Sequence, residues 1–268
     1  MARLSSTDKC LLSEIISKSL DRAEAIWNTE GADLIFESIS LEDSSQRGMD
    51  SIDLIKKSEL VPSRIPGTPV VSSDENKVEE FIALVADMRD STQHLMTRNT
   101  HGSVSELQRV YYETSALLPA LDFAISQSDG SVTEYLGDGV LALFKVDSDD
   151  IAISTKNAKW AATDCLEVVL PMVNDELSKR YELPELQIGI GMAFSKALVT
   201  TMGLPGKLHA KAFGKCIYRA TKLSNGANKI LVDDQLEAKW PVNRNGGGFT
   251  FKRLTSENLG FHAYEMPY

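Results

Sequence analysis

Phe81-Ile82-Ala83-Leu84-Val85-Ala86 runs into Asp87-Met88-Arg89-Asp90-Ser91-Thr92. Further on, Val132-Thr133-Glu134-Tyr135-Leu136 passes through Gly137-Asp138-Gly139 into Val140-Leu141-Ala142-Leu143-Phe144. An unbroken apolar run of this length, bounded by turn chemistry, suits a strand covered on both faces. The two runs joined across Gly-Asp-Gly suit a tight hairpin with its aspartate near the tip. If these strands are neighbours in one sheet, Asp87 and Asp138 converge at its end. Like charges held together are costly, and a hard divalent cation resolves the conflict. Cations so placed usually carry a triphosphate.

Working outward, residues 7–28 have helical periodicity, with Leu11, Leu12, Ile15, Ile16, Leu20 and Ala23 on one stripe and Ser6 or Thr7 as the cap. So apolar a stripe must pack on its own domain or on a second subunit. Residues 41–76 are rich in Ser, Asp, Glu and Pro, with short apolar groups at Ile52, Leu54, Ile55 and Val70-Val71. They read as an irregular connector with at most one helix and no core of its own. The chain therefore divides into an N-terminal helix and irregular arm, residues 1–75, and a larger domain, residues 76–268. In that domain helices are expected at 91–98, 104–126, 149–181, 216–224 and 233–240. Strands are expected at 187–193, 197–202 and 229–232, with a closing hairpin from 249–251 and 261–264. Short hairpins interrupt the alternation of strands and helices, so the fold class is α+β, with a mixed or antiparallel sheet and flanking helices.

The whole chain, 268 residues, is long enough for a full core, and its 43% apolar and 25% charged residues are ordinary for a globular protein. A net charge of -10 argues against a nucleic-acid polymer or an anionic membrane as principal partner. Cys10, Cys165 and Cys216 lack metal-ligand spacing and read as reduced thiols. No apolar run is long enough to span a bilayer and Met1–Asp8 has no signal-peptide core, so a cytoplasmic protein without membrane insertion is expected.

The Asp-Met-Arg-Asp-Ser-Thr segment, followed by Leu136-Gly137-Asp138-Gly139-Val140-Leu141-Ala142-Leu143-Phe144, resembles the class III nucleotidyl cyclases. Ile188-Gly189-Ile190-Gly191 and Phe213-Gly214-Lys215-Cys216-Ile217-Tyr218-Arg219-Ala220-Thr221-Lys222-Leu223 fall where that family has its matching segments. The likeness covers roughly residues 78–268. With Arg109-Val110-Tyr111-Tyr112-Glu113-Thr114-Ser115 after the first aspartate, the compact form looks most like the bacterial pyrimidine cyclases of the Pycsar antiphage system. The resemblance implies a ferredoxin-like palm and a reaction converting UTP or CTP to the 3′,5′-cyclic monophosphate and pyrophosphate. A guanylate or adenylate cyclase, and a silent cyclase-like module that binds nucleotide, are the alternatives.

The resemblance also distributes roles. Two divalent ions, Mn2+ or Mg2+, would be held by Asp87, Asp138 and the Met88 carbonyl. The turn through Arg89 and Ser91 opens a helix whose free N–H groups suit phosphate oxygens, and Lys196 falls at a phosphate-binding position of the family. Glu134 and Lys211 stand at the two base-selecting positions, where an acceptor and a donor fit uracil, cytosine or the edge of guanine. Adenylate cyclases typically have lysine at the first of these positions, which disfavours adenine. The family's asparagine and arginine on the following helix are replaced by Tyr218 and Lys222, which share a helical face. Lysine lacks the fork of arginine, and Arg219 beside it is the alternative source of one. The active site would lie between two protomers of a homodimer, Asp87 and Asp138 from one facing Tyr218 and Lys222 from the other. The first helix is a candidate to support that dimer. The cyclic product would act on a separate effector protein.

Overall fold

The run at 81–86 lies at the centre of the sheet, as a strand buried on both faces must. The structure is a computed structural model and describes residues 3–31, 59–96, 104–147, 151–241, 250–255 and 259–268. Its first elements are helix α1 (Ser6–Ile26), the hairpin strands β1 (Leu60–Ile65) and β2 (Thr68–Ser72), and strand β3 (Lys77–Met88). Helices α2 (Ser91–Met96) and α3 (Glu106–Ser126) follow, then strands β4 (Ser131–Tyr135) and β5 (Gly139–Lys145). Helix α4 (Ile151–Asp164) passes through a π turn, Cys165–Val169, into α5 (Leu170–Tyr181). Strands β6 (Ile188–Leu204) and β7 (Lys207–Gly214), helix α6 (Lys215–Leu223), strand β8 (Lys229–Asp233), helix α7 (Asp234–Ala238) and strands β9 (Lys252–Leu254) and β10 (Ala263–Met266) complete the order.

Among the described residues the main sheet runs β4-β5-β3-β6-β8-β10-β9, with β7 pairing β6 as well. Only β6 and β8 are parallel; the other pairs are antiparallel, so the sheet is mixed as expected. Alternate residues of β3 serve the two layers. Ile82, Leu84, Ala86 and Met88 join the larger core under α1, α3, α4 and α5. Phe81, Ala83 and Val85 face a smaller core closed by Ile65 and Val71 of the hairpin and by Cys216 and Ala220 of α6. Phe81 and Phe144 are wholly buried, and each large apolar side chain so placed contributes about 1.5–3 kcal/mol.

Several elements differ from the sequence reading. The cap of α1 is Ser5, which accepts from the Asp8 amide in a capping box. The stripe Leu12, Ile16, Leu20 and Ala23 is buried in this chain's own core. Arg180 reaches back from α5 to Asp21 at 2.7 Å, Glu24 at 3.2 Å and Ser17 at 2.6 Å. The helix thus has a partner within the chain for Leu12, Ile16, Leu20 and Ala23, while Leu11 of the expected stripe stays 46% exposed. Within the segment read as an irregular connector, residues 60–72 form the β1–β2 hairpin around Gly67, whose φ of 77° permits the turn. The groups at Ile52, Leu54 and Ile55 lie outside the described residues, as do the ends of the helices expected to reach 98 and to begin at 149, and Phe249 of the closing hairpin. What reads as two strands at 187–193 and 197–202 is one strand of 17 residues. The π turn has a local cause: Pro171 has no N–H, and the Leu170 amide bonds back to the Cys165 carbonyl. No helix among the described residues is long and apolar enough to cross a membrane.

Candidate active site

Asp87 is the penultimate residue of β3 and stands opposite Gly139 in β5 and Gly189 in β6. Asp138 occupies the turn between β4 and β5, with Gly137 at φ 86° and the Leu136 amide donating to the Gly139 carbonyl at 2.8 Å. The Met88 amide donates to the Asp138 carbonyl at 3.1 Å, which ties the strand end to the turn. Asp87 and Asp138 are therefore brought together at one end of the sheet, as the sequence suggests. A Cβ at Gly139 would lie 2.8 Å from Asp87 Oδ1, so only glycine leaves room for the carboxylate. Burial and then the charge of Asp138 push the Asp87 carboxyl above the usual carboxylate range, while Arg89 opposes both.

Arg89 Nη2 donates to Asp87 Oδ2 and, at 3.2 Å, to the Met88 carbonyl. The Ser91 hydroxyl donates to Asp138 Oδ2. Two oxygens proposed as metal ligands thus already converge on one cationic nitrogen. An open cleft of about 570 Å³ is lined by residues 87–93 together with Met96 and Asp138. Among the described residues no group of three or more His, Cys, Asp or Glu side chains is placed to hold a metal ion. The cleft offers instead two carboxylates and a main-chain carbonyl, an all-oxygen set that fits Mg2+ or Mn2+ completed by water and phosphate.

Helix α2, which opens on this cleft, buries no residue of its own. It is held to α3 by His94, whose Nδ1 lies 2.9 Å from Glu113 Oε2. Arg109 Nε donates to the other oxygen of this fully buried glutamate at 2.7 Å. The sequence reading passed over this cluster, although the four-residue spacing of Arg109 and Glu113 is a helix-pair signal.

The remaining candidates lie elsewhere in the chain. Glu134 ends β4 and Lys211 lies in β7; Lys211 Nζ is 2.6 Å from Glu134 Oε2, so the two base-selecting candidates do meet. Tyr218 and Lys222 share the outer face of α6, with Lys222 Nζ 5.8 Å from the Tyr218 ring centre and Tyr218 62% exposed. Neither lines the carboxylate cleft of its own chain. Lys196 is exposed on β6 opposite Glu80. Arg219 has a competing engagement: Nη1 donates to Asp233 Oδ2 at 2.7 Å and Asp234 Oδ1 at 2.8 Å, and its guanidinium sits 4.7 Å from the Phe261 ring centre. Through Nη1 it grips buried Asp233 and fixes α6 to the β8–α7 junction. Gly189 and Gly191 have a role the sequence reading did not assign. A Cβ at either would lie 2.0 Å from a backbone carbonyl, of Ser224 or Ala220, so these glycines let α6 sit directly against β6.

This arrangement is the fold of the class III adenylyl and guanylyl cyclase domain. The structure is similar to the guanylyl cyclase Cya2, with a TM-score of 0.57 and 17% identity over 71% of this chain and 93% of that one. It is also similar to the adenylyl cyclase CyaB from P. aeruginosa, with a TM-score of 0.58 and 12% identity over 72% of this chain and 96% of that one. In sequence, 124 residues are 25% identical to an adenylate cyclase of Anabaena cylindrica, a match of 43% of this chain and 23% of that protein. The chain thus aligns with less than a quarter of that relative's length. No protein-family model matches it.

Proposed function

We propose that the protein is a metal-dependent nucleotidyl cyclase that takes UTP, or CTP, to the 3′,5′-cyclic monophosphate and pyrophosphate. The observation that carries the reading is the convergence of Asp87, Asp138 and the Met88 carbonyl beside the opening of α2. In such a reaction the ribose 3′-oxygen bonds to the α-phosphorus as the bond to the pyrophosphate oxygen breaks, and the hydroxyl proton leaves to solvent. Two divalent ions, when bound, lower the hydroxyl pKa and neutralise the phosphates. Asp87, Asp138 and the Met88 carbonyl would hold them. Arg89 and the Asp90–Thr92 amides receive phosphate oxygens, Arg89 exchanging Asp87 for the nucleotide, and Lys196 adds a cation.

Tyr218 and Lys222 do not line the cleft of their own chain, which supports a homodimer in which they complete the partner's site. There the Tyr218 hydroxyl holds the ribose and Lys222 meets charge developing on the phosphate. Glu134 and Lys211 exchange each other for the base edge: Glu134 accepts a base N–H and Lys211 donates to a ring carbonyl. A purine substrate is the second reading, favoured by the adenylyl and guanylyl cyclases among the similar proteins. The Pycsar likeness adds that the product is a second messenger of antiphage defence acting on a separate effector.

Incubation of the pure protein with each of the four NTPs and manganese, with product identified by mass, tests the reading. Cyclic UMP or cyclic CMP is the expected product. Cyclic AMP or cyclic GMP alone would transfer the assignment to purines, and no cyclic product would remove the catalytic claim.

A further inference from the structure

The spacing of Glu134 and Lys211 is not set by the sheet. Glu134 lies on β4, which pairs β5; Lys211 lies on β7, which pairs β6; no ladder joins the two strands. The β1–β2 hairpin spans the gap between them, with β1 lying against both β7 and β4. Two polar anchors reinforce the contact. Glu59, immediately before β1, accepts the Gly206 amide on both carboxylate oxygens, at 2.9 and 3.1 Å. Gly206 is in the tight turn that joins β6 to β7. On the other side, Arg64 Nη2 donates to Asp122 of α3 at 2.9 and 3.3 Å, and Asp122 also accepts the Tyr135 hydroxyl at 2.7 Å. Tyr135 is the residue after Glu134. Beneath these anchors Ile65 and Val71 are buried in the cluster on which Ala210 and Ala212, the two neighbours of Lys211, also pack.

We infer that the β1–β2 hairpin is a specificity element of the base site, in which Glu59 and Arg64 are positioning residues. Together they hold Lys211 and Glu134 to one spacing, so that a base offering a donor and an acceptor at that spacing is accepted and others are rejected. The inference rests on the base-reading role of Glu134 and Lys211 proposed above. It places part of the selectivity in a segment that touches neither the carboxylates nor the phosphates. Free of the hairpin, β7 would rest mainly on its ladder with β6, its contact with α6 and the Lys211–Glu134 ion pair itself, and Lys211 would move relative to β4.

The test compares Glu59→Ala, Arg64→Ala and the double variant with the unchanged full chain, by two measurements. Hydrogen–deuterium exchange over residues 200–214 and 131–135 reads the positions of the two strands without reference to activity. Competition among the four NTPs for a fluorescent nucleotide, together with kcat/KM for each, reads selectivity. Exchange is expected to quicken in both segments, and selectivity for the preferred base to fall about two- to fivefold per variant, the scale of one solvent-accessible ion pair. KM should change more than kcat, and Arg64→Lys should restore most of the loss. Unchanged exchange would overturn the brace. Faster exchange with unchanged selectivity would leave a brace with no part in specificity and overturn the inference. If the unchanged chain neither binds nor cyclises any NTP, the proposed function fails and the specificity assignment fails with it, while exchange still judges the brace.

Discussion

Gly139→Ala is the sharpest single test of the carboxylate geometry. An added Cβ would stand 2.7 Å from the Ala86 carbonyl oxygen and 2.8 Å from Asp87 Oδ1. Reaching an ordinary 3.4 Å contact requires roughly 0.7 Å of movement between β5 and β3, or rotation of the Asp87 side chain. The first neighbour is strand backbone, in a ladder that runs from Asp87↔Gly139 to Phe81↔Lys145, so it gives way poorly. Overpacking of this kind costs about 1–3 kcal/mol, which for a domain of this size lowers Tm by about 2–10 °C. Displacement of a catalytic group by nearly 1 Å costs on the order of a hundredfold in rate. The assay pairs thermal melting, with and without manganese, with cyclic-product formation from the preferred NTP. The variant should stay folded, lose most of the manganese-induced rise in Tm, and lose about two orders of magnitude in kcat. A folded Gly139→Ala protein with turnover within threefold of the unchanged chain would refute the claim that Asp87 must sit where β5 leaves room for it.

Asp87→Asn and Asp138→Asn should each abolish cyclic product and the manganese-induced rise in Tm; a variant that keeps both would not be a metal ligand. Mixed Asp87→Ala and Tyr218→Phe chains should regain turnover that neither has alone, because one site of the mixed dimer carries neither substitution; failure to regain it would count against a shared site. Arg219→Ala leaves buried Asp233 without its cation and should destabilise the fold by about 3–5 kcal/mol in a denaturant titration; a loss of turnover at unchanged stability would instead place Arg219 at the substrate. Asp164 is buried and accepts the Arg3 and Leu4 amides at 2.7 and 3.3 Å. Burial raises its carboxyl above 3.8, with the two amides opposing. The folded chain therefore keeps this proton to higher pH than the unfolded chain, and the residue's contribution to stability falls as pH rises from 3.8 through the raised value. Asp164→Asn has no such slope, so its Tm relative to the unchanged chain should climb between about pH 4 and pH 7; a constant difference would contradict this.

The sheet centre was legible because it is the most buried part of the chain. An apolar run ending in Asp87 and another opening after Gly139 leave few alternatives to adjacent buried strands. Pairing of Glu134 with Lys211 followed only from the family likeness, since no ladder links their strands. The β1–β2 hairpin escaped because Pro62, Ser63 and Arg64 interrupt its apolar residues, and burial of Val61, Ile65 and Val71 depends on a face built by distant segments. Strand β7 escaped for a similar reason: Lys207, His209 and Lys211 alternate with Leu208, Ala210 and Ala212 in too weak a pattern for a strand signal. Arg219 entered the sequence reading as an alternative source of the arginine fork because it stands beside Lys222; its pairing with Asp233 and Asp234 is tertiary and leaves no local trace.

Helix α2 buries nothing, yet it forms one wall of the carboxylate cleft. Its place is set at one end by Ser91 on Asp138 and further along by His94 on Glu113. A wall pinned by charge and hydroxyl contacts, with no apolar face beneath it, can shift without disturbing the interior of the molecule. The Ser91 pin ends on an oxygen that a bound cation would also claim, whereas the His94 pin is anchored on a carboxylate closed to solvent. Loading of the cleft would therefore trade the Ser91 pin for contacts to the bound nucleotide while the His94 pin stays, so the first turn of α2 answers to the ligand and its far end does not.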